Sequence, residues 1–114
     1  MQIKQIVENS EMPDNSGEEF DLMEDLLIFM RNDPMFYRKK YYPMITQMCD
    51  CVKKSKKFSK KNSILPVVKS GYSEYCKKYN IKPKNHQYTK QNVFRLINEI
   101  YTEEMKNIKS GEYD

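Results

Sequence analysis

Apolar residues recur at helical spacing in four separate stretches of this chain, and nowhere is there a sustained alternation of period two. That pattern constrains the fold more than any other feature, because side chains three and four apart share a helix face while side chains two apart share a strand face. Phe20, Met23, Leu27 and Met30 make the first stripe, widened by Leu22, Leu26 and Phe29. Tyr37, Tyr41, Met44, Met48 and Val52 make the second, and Leu65, Val68, Tyr72, Tyr75, Cys76 and Tyr79 the third. Val93, Leu96, Ile97, Ile100, Tyr101, Met105 and Ile108 make the fourth. Such stripes need covering, and helices cover one another. The expected fold is all-α, a compact bundle of about four helices.

Cap and stop signals divide the stripes. Ser16 and Glu19 have capping-box spacing, so the first helix is expected to begin there and to stop at Asn32. Asp33-Pro34 reads as a cap followed by proline at the first helical position, where a missing N–H costs nothing. Pro43 falls inside the second stripe, removes the bond to the Lys39 carbonyl and predicts a kink near Tyr42. The third helix is expected from about Ile64 to Tyr79, with Pro66 in its first turn. Asn80 suits a left-handed helix end, with Ile81 packing back and Pro83 beyond. Thr89 is a cap for a fourth helix from Lys90 to about Lys109, ended by Gly111. Residues 1–15 are polar and lead to the break Pro13-Asp14-Asn15-Ser16-Gly17, so they read as a mobile acidic N-terminal arm. Residues 16–111 then form a single helical domain, an ordinary size for one core.

Charge is divided along the chain. Residues 1–33 hold nine acids against Lys4 and Arg31, whereas residues 34–98 hold sixteen cations against Asp50 and Glu74. The densest run is Lys53, Lys54, Lys56, Lys57, Lys60 and Lys61 around Phe58, with no acid before Lys69. It reads as the end of the second helix and an exposed linker. With Arg38, Lys39 and Lys40 these residues are the candidate nucleic-acid contacts, the cations for phosphates and Phe58 or Tyr42 for stacking. Against that, seventeen of the twenty cations are lysine, and lysine in an Ile-, Asn- and Tyr-rich chain also fits surface filler from an A/T-rich genome. Specific base readout favours the arginine fork. Tyr37 and Tyr41 lie on the second stripe and read as core; Phe36 and Tyr42 lie off it and read as a contact surface.

Phosphate-loop, dinucleotide and hydrolase motifs are absent, and the three glycines are scattered. Glu103-Glu104, like Glu18-Glu19, points in two directions about 100° apart on a helix and reads as solvated. No catalytic residue is assigned and no enzyme is expected. Cys49, Cys51 and Cys76 with one histidine, His86, do not make the paired spacing of a zinc site, so reduced thiols without metal or cofactor are expected. The longest apolar run, Leu26–Met30, is far too short to cross a bilayer. No export signal is evident at the N-terminus, which leads to the expectation of a cytoplasmic chain with no membrane contact.

The segment 21–45, which contains "DLLIFMRNDPMFYRKKYYPMI" (Asp25–Ile45), resembles small proteins of tailed phages, above all those infecting marine bacteria, and the resemblance fades beyond it. The resemblance transfers no catalytic or binding residue. It implies a setting: a host cytoplasm, an A/T-rich genome, and a role in nucleic-acid metabolism, host takeover or the virion.

Two functions are therefore expected in turn. The first is weak, non-specific nucleic-acid binding through the lysine-rich helix end and linker. The second is a protein–protein adaptor that uses the acidic arm or the Met- and Tyr-rich helices, with no nucleic-acid role and no small-molecule substrate. Oligomeric state is not legible.

Overall fold

A computed structural model describes residues 21–113, and these form four helices with no strand among them. The expected arm, residues 1–15, and the Ser16–Glu19 capping pair lie outside the described residues. The helices are α1, Leu22–Asn32; α2, residues 34–53; α3, Lys60–Lys78; and α4, Lys90–Lys109. The expected all-α bundle is thus what the chain forms.

Each helix starts on a side chain that accepts a backbone N–H left open by the first turn. Asp21 accepts from Glu24, Asp33 from Phe36, Ser59 from Asn62 and Thr89 from Asn92. Three ends close in the same way. Ser55, Asn80 and Gly111 take positive φ of 54°, 52° and 86°. The next residue in each case then bonds back five positions, Lys56 to Cys51, Ile81 to Cys76 and Glu112 to Asn107. This is the Schellman closure. Asn80 was legible for it; Ser55, whose residue type rarely takes a left-handed backbone, was not.

Helix α2 answers the question posed by Pro43. Its α-helical turns Pro34–Phe36 and Tyr42–Lys53 flank a π-helical turn, Tyr37–Tyr41, in which the Tyr42 N–H reaches back to the Tyr37 carbonyl. An α-turn would drive the proline ring into the Lys39 carbonyl; one extra residue in the preceding turn relieves that contact. The expected kink near Tyr42 is therefore a widened turn, and the helix runs unbroken through it.

Helix α3 begins at Lys60, about four residues earlier than the apolar stripe suggested. Lysine is a good helix former, so a lysine run with no apolar period is still compatible with an exposed first turn. Pro66 then lies in the second turn rather than the first. It forgoes the bond to the Asn62 carbonyl, at a point where both residues face solvent.

The core draws on all four stripes. Leu22, Leu26, Met30, Tyr41, Met48, Ile64, Val68 and Ile100 are fully buried. Each large apolar side chain removed from water contributes roughly 1.5–3 kcal/mol. Phe36, expected at a contact surface, is instead buried, with its ring 5.9 Å from that of Phe29. Gly71 of α3 makes room for it: a Cβ there would stand 2.7 Å from the Met30 side chain and 3.2 Å from Phe36. Val52 and Tyr79 lie at the ends of their stripes and are exposed.

Helix α1 runs alongside α4 in the same direction. The Leu22 N–H donates to Gln87 just before α4, and Arg31 reaches Glu103 and Glu104 near its end. Helices α3 and α4 are antiparallel, since Lys60 meets Asn98 while Tyr72 stacks on Tyr88.

Candidate functional site

The nine expected contact cations are all exposed. Arg38, Lys39 and Lys40 lie in the π-turn of α2; Lys53 is its last residue and Lys54 its C-cap. Lys56 and Lys57 are in the linker, whereas Lys60 and Lys61 occupy the first turn of α3 rather than the linker expected for them. Among the described residues only one of these cations has a carboxylate partner, Lys54, 3.3 Å from Asp50 on an exposed helix face. Lys60 donates to Asn98 at 3.0 Å and its ammonium lies 5.2 Å from the centre of the Tyr101 ring.

Phe58 does not serve as a free stacking surface. It is half-buried and lies parallel to Tyr101, with ring centres 6.0 Å apart and planes inclined by 16°. A linker six residues long needs an anchor to keep its direction, and this aromatic pair pins it to α4. The two expected groups of cations are also in different settings. Lys39 and Lys40 line a depression of about 190 Å³ that has Asp33 and Glu74 in its wall. The 53–61 run has one acid near it in sequence, Asp50, which pairs with Lys54.

A second basic surface was not foreseen. Lys61, Leu65 and Lys69, four residues apart on one face of α3, oppose Lys90 and Phe94 of α4 across a groove of about 450 Å³. Tyr88 lines it as well, and no carboxylate does. Tyr88 is held flat on Tyr72, ring centres 3.8 Å apart and planes within 6°. Tyr72 in turn donates its hydroxyl to the Pro83 carbonyl. Burial and the neighbouring Cys76 push the Tyr72 hydroxyl up to about 12, so it keeps its proton through the physiological range. The i, i+4, i+8 spacing of Lys61, Leu65 and Lys69 is visible in the sequence, but the apolar stripe places the helix start at about Ile64, four residues after the true one, and so leaves Lys61 in the linker.

The densest polar cluster is internal. Glu104, expected in a solvated pair with Glu103, is 2% exposed. Its Oε2 accepts from the Tyr41 hydroxyl at 2.6 Å and its Oε1 from the Tyr113 hydroxyl at 2.7 Å. Arg31 Nη2 lies 3.2 Å from Glu104 and 2.6 Å from Glu103, and Arg31 Nε donates to the Tyr41 oxygen at 3.0 Å. Burial, then the bond to Glu104, pushes the Tyr41 hydroxyl far up. Burial pulls the Arg31 guanidinium down, but the bonds to Tyr41 and Glu103 outweigh it and the net direction is up. Both Glu104 oxygens accept a hydroxyl, while the buried Arg31 Nη2 is held by its ion-pair contacts to the two carboxylates without a well-aligned hydrogen bond, and the cluster is a structural joint between α1, α2 and α4. The signal in sequence was an acid four residues after Ile100, on the apolar stripe.

Cys49 and Cys51 are half-buried and Cys76 is buried, and none forms a disulfide. Among the described residues no three of His, Cys, Asp or Glu gather as a metal site, and no helix is long and apolar enough to cross a membrane. Comparison of the chain with known protein families, with curated proteins and with solved structures finds no match.

Proposed function

We propose that this is a small non-enzymatic protein that binds nucleic acid weakly and without sequence preference through the surface from Lys53 to Lys61. The observation that carries the reading is the contrast in partners. Six lysines within nine residues are exposed, and five of them have no carboxylate partner among the described residues. The local rules of helix stability do not account for Lys61, whereas Lys60 also bonds Asn98 and lies over the Tyr101 ring. Lys60 and Lys61 sit at the positive end of α3, and its first turn contains no acid. A cation there is opposed by the helix dipole, by roughly 0.3–1 kcal/mol. Residues that break a local rule without a folding gain are the ones expected to serve a partner. A polyanion is such a partner, since each phosphate neutralised releases condensed counterions.

The test is a titration of labelled single-stranded and duplex DNA at low and physiological salt. Log affinity is expected to fall with log salt at roughly −0.7 to −0.9 per phosphate contact. Changing Lys53, Lys56 and Lys57 together to Gln should flatten that slope and leave thermal stability nearly unchanged, because exposed charges contribute little to folding. Absence of binding at low salt, or a slope that the variant keeps in full, overturns the reading.

A protein-adaptor role is the second reading, and one observation favours it. Ile28 and Tyr79 are 50% and 55% exposed and line one depression of about 400 Å³ with Asp25 and the Asp33–Lys78 pair. Substituting Ile28 and Tyr79 by Ser should abolish capture of a native-host protein that survives nuclease treatment; capture unaffected by the substitution removes this reading.

A further inference from the structure

We infer that the groove between α3 and α4 seats an unpaired base of a single strand, with Lys61, Lys69 and Lys90 on the flanking phosphates. This rests on the nucleic-acid reading above and specifies its substrate: single strand in preference to duplex. Three observations converge on one place. Charge complementarity comes first. Three ammonium groups face the groove from both helices and no carboxylate lines it. Of the four other depressions described, three have at least one acid in their walls, and the fourth, beside Lys69, Lys77 and Cys76, does not. The second is a prepared aromatic surface. Tyr88 is fixed by the Tyr72 ring beneath it and Tyr72 by its bond to Pro83, so little side-chain freedom is lost when a third ring joins. The third is an unfinished one. Phe94 lines the same groove and remains 36% exposed, with no ring partner among the described residues.

An apolar floor from Leu65 and Val93 completes a site with the usual composition of a nucleobase seat, aromatic and aliphatic inside and cationic at the rim. A paired base is already stacked on both faces and presents only its edge, so the same groove offers a duplex no more than phosphate contacts. Lys61 belongs both to the groove and to the 53–61 surface, which makes the two continuous.

The experiment measures binding of a fluorescent oligothymidylate and of a duplex of equal phosphate number. It uses the full chain, a Phe94→Ala variant, a Lys69→Gln/Lys90→Gln variant and the Lys53/Lys56/Lys57→Gln variant. Helical content by circular dichroism confirms that each is folded. Phe94→Ala is expected to weaken the single strand on the order of tenfold while leaving the duplex within about twofold, because stacking is available only to the unpaired base. The double lysine variant should weaken both and reduce the salt slope by about two contacts for the single strand. Equal loss of single strand and duplex in Phe94→Ala, or no loss in either, overturns the base seat. Displacement of the oligothymidylate by polyglutamate of equal charge as readily as by unlabelled oligothymidylate also overturns it, since the groove then reads charge alone. Failure of the broader reading looks different. In that case the linker variant binds both nucleic acids in full, whatever Phe94→Ala does.

Discussion

Two regions of this small bundle are rich in charge, and they use it in opposite ways. At the joint of α1, α2 and α4, Arg31, Tyr41, Glu104 and Tyr113 answer one another at 2.6–3.2 Å. On the surface from Lys53 to Lys61, five of six ammonium groups have no carboxylate partner among the described residues. The first region finds most of its partners within the fold; the second has one internal answer, Asp50 to Lys54. Charge satisfied within a fold becomes part of its stability, whereas charge left open contributes little to stability and is free for a partner. Perturbations of pH and sequence should therefore move folding at the joint and binding at the lysine surface, and each expectation below can break that division.

The largest expected effect is alkaline. The ordinary tyrosine value is 10.0, and burial raises Tyr37, Tyr41, Tyr75, Tyr88 and Tyr113 in the folded chain, with Tyr72 near 12. A group raised on folding lends stability that is complete below its unfolded value and is lost as pH climbs from there through the folded value. For fully buried Tyr41 alone the loss is about 1.4 kcal/mol per pH unit above that point. Loss of helix should thus coincide, above pH 10, with the tyrosinate absorbance that a Tyr41→Phe variant lacks; that absorbance appearing while helicity is intact would show that the joint is open to solvent.

Next is the carboxylate itself. Glu104→Ala leaves Arg31 with Glu103 as its one carboxylate and strips the acceptor from two hydroxyls. A cost of about 3 kcal/mol in urea unfolding is expected, the usual size when one member of a buried ionic cluster is removed. The Lys53/Lys56/Lys57→Gln variant should stay within about 0.5 kcal/mol of the parent. Similar values for the two variants would dissolve the distinction between the regions.

What could be read from sequence follows the same line. The Asp33-Pro34 start, the Thr89 cap and the Asn80 turn are decided within a few residues, and local rules located each of them. Glu104 depends on Tyr41, sixty-three positions away; its place four residues after Ile100 puts it on the apolar stripe, but nothing local supplies the partners that a buried carboxylate needs. Phe36 was misplaced for a different reason. A helical wheel assumes a constant turn, and the π-turn at Tyr37–Tyr41 inserts one extra residue and resets the phase between Phe36 and the stripe that follows. The lysines were located but not their setting, because the start of α3 rests on Ser59, a weaker signal than the apolar stripe that begins after it. The groove needed α3 and α4 to be set antiparallel, and no single helix carries that information.

A smaller effect is expected where α2 ends. Ser55 takes φ of 54° to complete the Schellman closure, a region that favours glycine. A left-handed backbone costs a side-chain-bearing residue about 1 kcal/mol. Ser55→Gly should recover part of it, raising the urea midpoint without changing the salt slope of nucleic-acid binding. A slope that changes would mean that the direction of the linker, not only its charge, belongs to the binding surface.

The smallest expected effect on stability is the one that sets folding and binding against each other at one residue. Lys61 is exposed, has no carboxylate partner among the described residues, and lies in the first turn of α3. There the free N–H groups of the helix start make a positive pole, so Lys61→Glu replaces a repelled charge by an attracted one. A gain of roughly 0.3–1 kcal/mol is expected, visible as a small rise in the thermal midpoint that salt diminishes. The same substitution removes one phosphate contact and places a carboxylate in the acid-free groove, so affinity for both single-stranded and duplex DNA should fall. The Lys61→Gln variant separates the two causes: it removes the cation without adding repulsion and should sit between parent and Glu in both measurements. A more stable protein that binds less is the outcome expected of a residue kept for its partner at the expense of its helix. A variant that is less stable, or one that binds as well as the parent, would place Lys61 with the ordinary surface lysines and shift the binding surface toward Lys53–Lys57.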